Sequence, residues 1–287
     1  MKHKGLLIGL ILVVVAAIAG GAYFGMSHHK TQTKYQQTMV PTFFFHGYGS
    51  SYHAEQQMVN AAKDAGVTEN VIRADVARNG DVTFVGQLKN NAKNPIVMVN
   101  YIDNKNPDFH TDGKWAKNVV TKLQDQYHFS KFNMVGHSMG NMAIMFYMLD
   151  NAGNDKLPKL QKQVDIAGHF AGIIGMDDKP NQLKLDKDGK PERINASYKE
   201  LLPIRDTYPK NQVDVMNIFG DKDDGTHSDG AVSNASSKSL KYLIGDRAKS
   251  YAEHKIVGAN AQHSKLHENK EVDQLLIKFL WNQESSK

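Results

Sequence analysis

A serine set between two glycines, Gly136-His137-Ser138-Met139-Gly140, separates an apolar run at 132–135 from a second apolar run at 141–149. A hydroxyl becomes useful as a nucleophile when a strand and a helix meet in a bend too tight for side chains on either flank. Glycine at positions 136 and 140 permits such a bend, and the helix that follows points its dipole at any negative charge developing there. Ser138 is therefore the candidate nucleophile. A serine hydroxyl is weak without a base to take its proton, and an imidazole base needs a carboxylate to fix its tautomer.

Thirteen histidines compete for the role of base, so position must choose. The segment GANAQHSKLH at 258–267 follows the last strand-like run and precedes the final helix-like run, and holds His263 and His267. His263 lies nearer the strand end and is preferred; Leu266, His267 and Glu268 already approach the helix. His137 points away from the serine by the geometry of the bend, and His28 and His29 fall in a polar N-terminal stretch. The acid is sought in GDKDDGTHSDGAV at 220–232. Asp229 leads because D-x-x-V lets a carboxylate turn inward while Val232 anchors the loop. Asp224 comes second, and Asp221 and Asp223 read as solvated turn residues. The aspartates miss the spacing of a calcium loop, as do Asp186 and Asp188, and His227 reads as a structural or surface residue, so no metal site is expected. Charge developing on a carbonyl oxygen calls for backbone N–H donors. One is expected at Met139, and the other at Tyr48 within His46-Gly47-Tyr48-Gly49, with Gly49 as the alternative. Met139, Met142, Met145 and Phe146 suggest an acyl pocket, but at helical spacing they read first as core.

The elements around these residues alternate. Strand-like runs at 42–45, 72–76, 82–85, 96–102, 132–135, 164–166, 213–219 and 251–257 are interleaved with helix-like periodicity at 54–65, 115–127, 141–149 and 272–281. Short apolar strands between amphipathic helices imply an α/β fold, a mostly parallel sheet with helices on both faces. Between 175 and 208 the pattern breaks into charged, turn-rich sequence with one helix near 198–202, which reads as a small cap or lid, or else a long surface loop.

The chain has 287 residues and a formal net charge of +5, with 35 basic and 30 acidic residues mixed along its length. So mild an excess, without a basic run, argues against nucleic-acid binding. Cysteine is absent, which excludes disulfides, thiolate chemistry and Cys-ligated zinc. After a four-residue stub, residues 5–26 carry no charge and as a helix reach about 30 Å, the thickness of a bilayer core. They read as a signal anchor, with a cleaved signal peptide as the alternative; 27–40 reads as a polar tether and 41–287 as the catalytic body. An interior N-terminus and an exterior body follow, with no obligate protein partner inferred.

The chain resembles the α/β-hydrolase superfamily over nearly all of 41–287, and within it lipase-like, membrane-anchored cell-surface hydrolases of Gram-positive bacteria. The likeness rests on FFFHGYGSS (43–51), VGHSMGNM (135–142), GDKDDGTHSDGAV (220–232), AQHSKLHEN (261–269) and FLW (279–281), and on the order Ser138, Asp229, His263. It implies a serine hydrolase that needs no cofactor and cleaves a small ester or lipid-like substrate. It also admits an amidase, a peptidase, an acyltransferase or a catalytically silent binding protein.

Overall fold

The computed structural model describes residues 35–282. The expected membrane segment at 5–26, with His28 and His29, lies outside them. Among the described residues no helix is long and apolar enough to cross a membrane.

The body runs β1 (Thr42–Phe45), α1 (Gln56–Asp64), β2 (Val71–Val76), β3 (Val82–Val85), β4 (Ile96–Tyr101), α2 (Phe109–Tyr127), β5 (Lys131–His137), α3 (Met139–Asn151), β6 (Lys159–Ile166), α4 (Ala196–Leu201), α5 (Ile204–Thr207), β7 (Asp214–Asp221), α6 (Asn234–Lys238), β8 (Ser250–Val257) and α7 (Lys270–Trp281). The eight strands form one sheet in the order β3-β2-β4-β1-β5-β6-β7-β8. Every neighbouring pair is parallel except β2 with β3. This is the expected α/β architecture.

Alternation along β1 shows how the sheet is covered. Phe43 and Phe45 face a core completed by Trp115, Val119 and Leu123 of α2 and by Met142, Met145 and Phe146 of α3. Phe44 faces the opposite core, with Met58 and Val59 of α1 and Val272, Leu276 and Leu280 of α7. Each fully buried leucine or valine contributes roughly 1.5–3 kcal/mol. Central strands covered on both faces are mostly apolar, which is why β1 and β4 read as apolar runs, with the half-buried Asn100 as the polar exception in β4. β8, at an edge, leaves most of its side chains partly or fully exposed.

Helix α2 begins at Phe109, six residues before the periodicity suggests, because the Asp108 carboxylate caps it by accepting the His110 N–H at 3.0 Å. Helix α6 and the single π-turn Lys241–Gly245 have no counterpart in the sequence reading. The polar sequence of α6 looks solvated, yet its Ser236 and Ser237, and Ser239 just after it, are buried. The hydroxyls of Ser236 and Ser237 donate to the carbonyls of Gly172 and Gly168 at 2.8 and 2.9 Å.

One buried carboxyl in the sheet carries a stability consequence. Asp165 of β6 is fully buried and accepts two hydrogen bonds from the Gln163 amide, at 3.1 and 2.9 Å, while the Tyr208 hydroxyl donates to Gln163 Oε1 at 2.9 Å. Burial pushes its pKa up to about 7. The folded protein therefore binds this proton more tightly than the unfolded chain does. The stability it supports is complete below about pH 4 and is lost as pH rises toward and past 7, up to roughly 4 kcal/mol. Asp165→Asn should melt at a higher temperature than the parent at pH 8, with the gap closing toward pH 4. A gap that stays constant with pH in thermal denaturation would contradict this.

Candidate active site

The bend after β5 is built as the glycine spacing requires. Ser138 adopts φ +54°, ψ −117°, a conformation non-glycine residues rarely occupy. A Cβ on Gly136 would lie 2.7 Å from the Asn141 amide nitrogen, and one on Gly140 would run into the Phe45 carbonyl. The Ser138 N–H donates to the Ile166 carbonyl at 2.9 Å. Asn141, which the sequence reading passed over, clamps the bend: its Nδ2 donates to the carbonyls of Ser138 (3.0 Å) and Ile166 (2.8 Å), and its Oδ1 accepts the Ile166 N–H at 3.3 Å. Its signal was an amide at the start of an otherwise apolar helix.

The structure brings Ser138, His263 and Asp229 into one hydrogen-bonded row. Asp229 Oδ2 lies 2.7 Å from His263 Nδ1, and His263 Nε2 lies 2.9 Å from Ser138 Oγ. The other carboxylate oxygen, Asp229 Oδ1, accepts the N–H groups of Ala231 at 2.9 Å and Val232 at 2.7 Å, the turn that D-x-x-V implies. A carboxylate can only accept, so His263 carries its proton on Nδ1 and leaves the Nε2 lone pair toward the serine hydroxyl. The main chain repeats the tie, since the His263 N–H donates to the Asp229 carbonyl at 3.0 Å.

The remaining candidates are engaged elsewhere. Asp224 pairs with Lys222 at 2.8 Å, and its Oδ1 accepts the Thr226 hydroxyl at 2.6 Å. Asp221, expected as a solvated turn residue, is buried. It accepts the Asn234 amide at 3.0 Å and faces Lys255 and His227 at 3.5 and 3.6 Å. Asp223 donates its N–H to Asp221. His267 packs its ring against His137, with centroids 4.8 Å apart, and its Nδ1 is buried with no hydrogen-bond partner among the described residues. Among the described residues no group of three or more His, Cys, Asp or Glu side chains is placed to hold a metal ion.

The loop after β1 presses on the bend, for a Cβ on Gly47 would lie 3.1 Å from Ser138 Cβ. His46 holds this loop from within the protein. Its Nδ1–H donates to the Gly47 carbonyl at 2.9 Å, and its Nε2 accepts the Tyr101 N–H at 3.1 Å. Burial lowers its pKa, so the ring is neutral in the tautomer both bonds require. The Gly49 N–H donates to the Asn104 carbonyl at 2.7 Å and is already engaged. The N–H groups of Tyr48 and Met139 have no protein acceptor among the described residues. Met142, Met145 and Phe146 are fully buried in the core.

The first residues of the 175–208 segment, with Ile174 just before it, are stapled to the acid loop and to Ser233 just after that loop. The Ile174 N–H donates to the Ala231 carbonyl at 2.8 Å, Ser233 Oγ donates to Asp178 Oδ2 at 2.6 Å, and Asn181 Nδ2 donates to the Gly225 carbonyl at 2.9 Å. The loop after β6 also contributes His169, buried beside Phe109 with ring centroids 6.0 Å apart. Burial pulls the pKa of that ring down to about 4.

Residues 29–283 match the family model described as an alpha/beta hydrolase of unknown function (DUF915). Among solved structures, the product of gene lin2722 from Listeria innocua is 25% identical with a TM-score of 0.76, the match covering 87% of this chain and 97% of that one. A protein of Lactobacillus plantarum WCFS1, provisionally described as a cell surface hydrolase, is 21% identical with a TM-score of 0.70, covering 85% of this chain and 92% of that one. The lipase BlEst2 of Bacillus licheniformis, in its propeptide form, shares the fold at 14% identity and a TM-score of 0.51, over 86% of this chain and 51% of that one. No curated protein matches the sequence.

The strained bend predicts opposite effects of two small substitutions. Ser138→Gly should stabilise the fold by roughly 1 kcal/mol, because a positive φ costs glycine nothing while a serine there stores about 1–3 kcal/mol. Gly140→Ala must displace the Phe45 carbonyl and should cost at least about 3 kcal/mol or prevent folding. Urea denaturation of both variants checks this; a destabilised Ser138→Gly would show the bend to be unstrained.

Proposed function

The chain belongs to this alpha/beta-hydrolase family, and on that premise we propose that it is a serine hydrolase cleaving carboxylic esters through an acyl-enzyme. Ser138 Oγ attacks the acyl carbonyl as His263 Nε2 takes its proton. Asp229 holds the imidazole in the productive tautomer and stabilises the imidazolium. The oxyanion of the tetrahedral intermediate accepts the N–H groups of Met139 and Tyr48. His263 then gives the proton to the departing alcohol. Water enters, again losing its proton to His263, and the acid is released with Ser138 restored. The observation that carries this reading is the row in which His263 lies between Asp229 and Ser138, at 2.7 and 2.9 Å.

The substrate is a small ester or lipid-like molecule, and the scheme draws on no cofactor. The uncharged run at 5–26 supports a membrane anchor that displays the body outside the cell. A cell-surface setting is also how the Lactobacillus plantarum protein is described.

A fluorophosphonate probe should label the protein, and Ser138→Ala should abolish the labelling. Equal labelling of that variant, or none of the parent, would remove the case for Ser138 as nucleophile. On a chain-length series of nitrophenyl esters, His263→Ala and Asp229→Asn should each lower kcat by about 10²–10⁴. Preferential turnover of matched amides would move the assignment from esterase to amidase.

A further inference from the structure

The serine's immediate neighbour has a side chain that the scheme above leaves unused. His137 is the last residue of β5 and is 6% exposed. Its Nε2 lies 3.0 Å from the backbone carbonyl oxygen of His263. A carbonyl can only accept, so the proton sits on Nε2 and the ring donates. Its other ring nitrogen borders the loop after β1, where a Cβ on Gly47 would lie 3.3 Å from it. One ring thus fills the corner where three loops meet: the serine bend, the loop carrying the base and the loop carrying Tyr48.

We infer that His137 is the positioning residue for the base, gripping the His263 main chain from the serine's own bend so that nucleophile and imidazole keep a fixed separation. The inference rests on the serine-hydrolase reading. Both polar groups of the His263 main chain are then held, the N–H by the Asp229 carbonyl at 3.0 Å and the carbonyl by His137. With the main chain pinned and Nδ1 tied to Asp229, the imidazole has little freedom to swing away from Ser138 Oγ. The donor must stay uncharged to do this, because its ring centroid lies 4.9 Å from that of His263, where positive charge appears during turnover. Burial, with His263 and His267 close by, holds the His137 pKa well below the ordinary value. A lysine or arginine donor at this corner would oppose the imidazolium; a neutral imidazole does not.

The test replaces the donor without emptying the corner. His137→Phe keeps a ring and loses the N–H, while His137→Gln keeps a side-chain N–H that can reach the same carbonyl. On a nitrophenyl ester turned over by the parent, His137→Phe should lower kcat about 10- to 100-fold with KM changed less than about threefold. The rate of fluorophosphonate inactivation should fall in parallel. His137→Gln should regain at least about fivefold of the lost kcat. Full activity of the Phe variant, or Gln no better than Phe at matched melting temperatures, would overturn the assignment. A second readout uses the intact parent, in case the Phe variant does not fold. Two-bond ¹H–¹⁵N spectra, assigned by the signal lost in His137→Gln, should show this ring neutral and protonated on Nε2 from pH 5 to 9. A cationic ring, or a proton on Nδ1, would also overturn it. Failure of the serine-hydrolase reading itself looks different, since the parent would then be neither labelled nor active.

Discussion

The positive φ of Ser138 is the constraint from which the rest of the site is built. A parallel strand that ended normally would send the following helix away from the sheet edge and leave the hydroxyl inside. The turn to φ +54° lifts the side chain above the edge, and the bonds to Ile166 and Asn141 make that turn the lowest state open to the main chain. Glycine at 136 and 140 follows from it, because helix α3 must then lie against β5 and β1 with no room for a Cβ. The order of β1, β5 and β6 in the middle of the sheet follows as well. β6 supplies the carbonyl that holds the serine amide, and β1 supplies the loop that touches the serine Cβ.

Around this bend the protein has gathered histidines and kept them uncharged. His46, His137 and His169 are all buried, and burial lowers the pKa of each. Glu55, in the loop after β1, is buried with neither carboxyl oxygen bonded to a protein group among the described residues, and burial pushes its pKa well up. These groups add no net charge, and His46 and His137 also contribute hydrogen bonds. In the proposed reaction, the proton passing from Ser138 to His263 is therefore not opposed by a charged ring at His46, His137 or His169.

Local chemistry was legible in the sequence; long-range satisfaction was not. β1 and β3 end where the apolar runs end, because Pro41 and the polar turns around them are local signals. The two short bonds that shape Asp229 run to residues two and three positions on, so D-x-x-V carries them within four letters. That His263, and not His267, lies beside Asp229 and Ser138 follows from its shorter distance from the end of β8. By contrast, the roles of Asn141, His46 and His137 depend on carbonyls and amides 25 to 126 positions away. Nothing in their neighbourhood says which group they will meet. The serines of α6 are harder still: polar letters in a polar stretch, buried because distant glycine carbonyls accept their hydroxyls. Asp221 holds its turn but is not solvated, for the same reason, its partners Asn234 and Lys255 being supplied by later elements.

Tyr35 and Asn282, the first and last described residues, face each other in an antiparallel bridge, and the Gln36 N–H donates to the Trp281 carbonyl at 2.8 Å. The neighbouring Thr38 carbonyl accepts the Asn94 N–H just ahead of β4, at the opposite end of the strands from Ser138. The body therefore comes close to being a ring of chain already. A few glycines and serines across that gap, with new ends opened in the exposed turn at 153–156, would yield a circular permutant that leaves every loop around the serine intact.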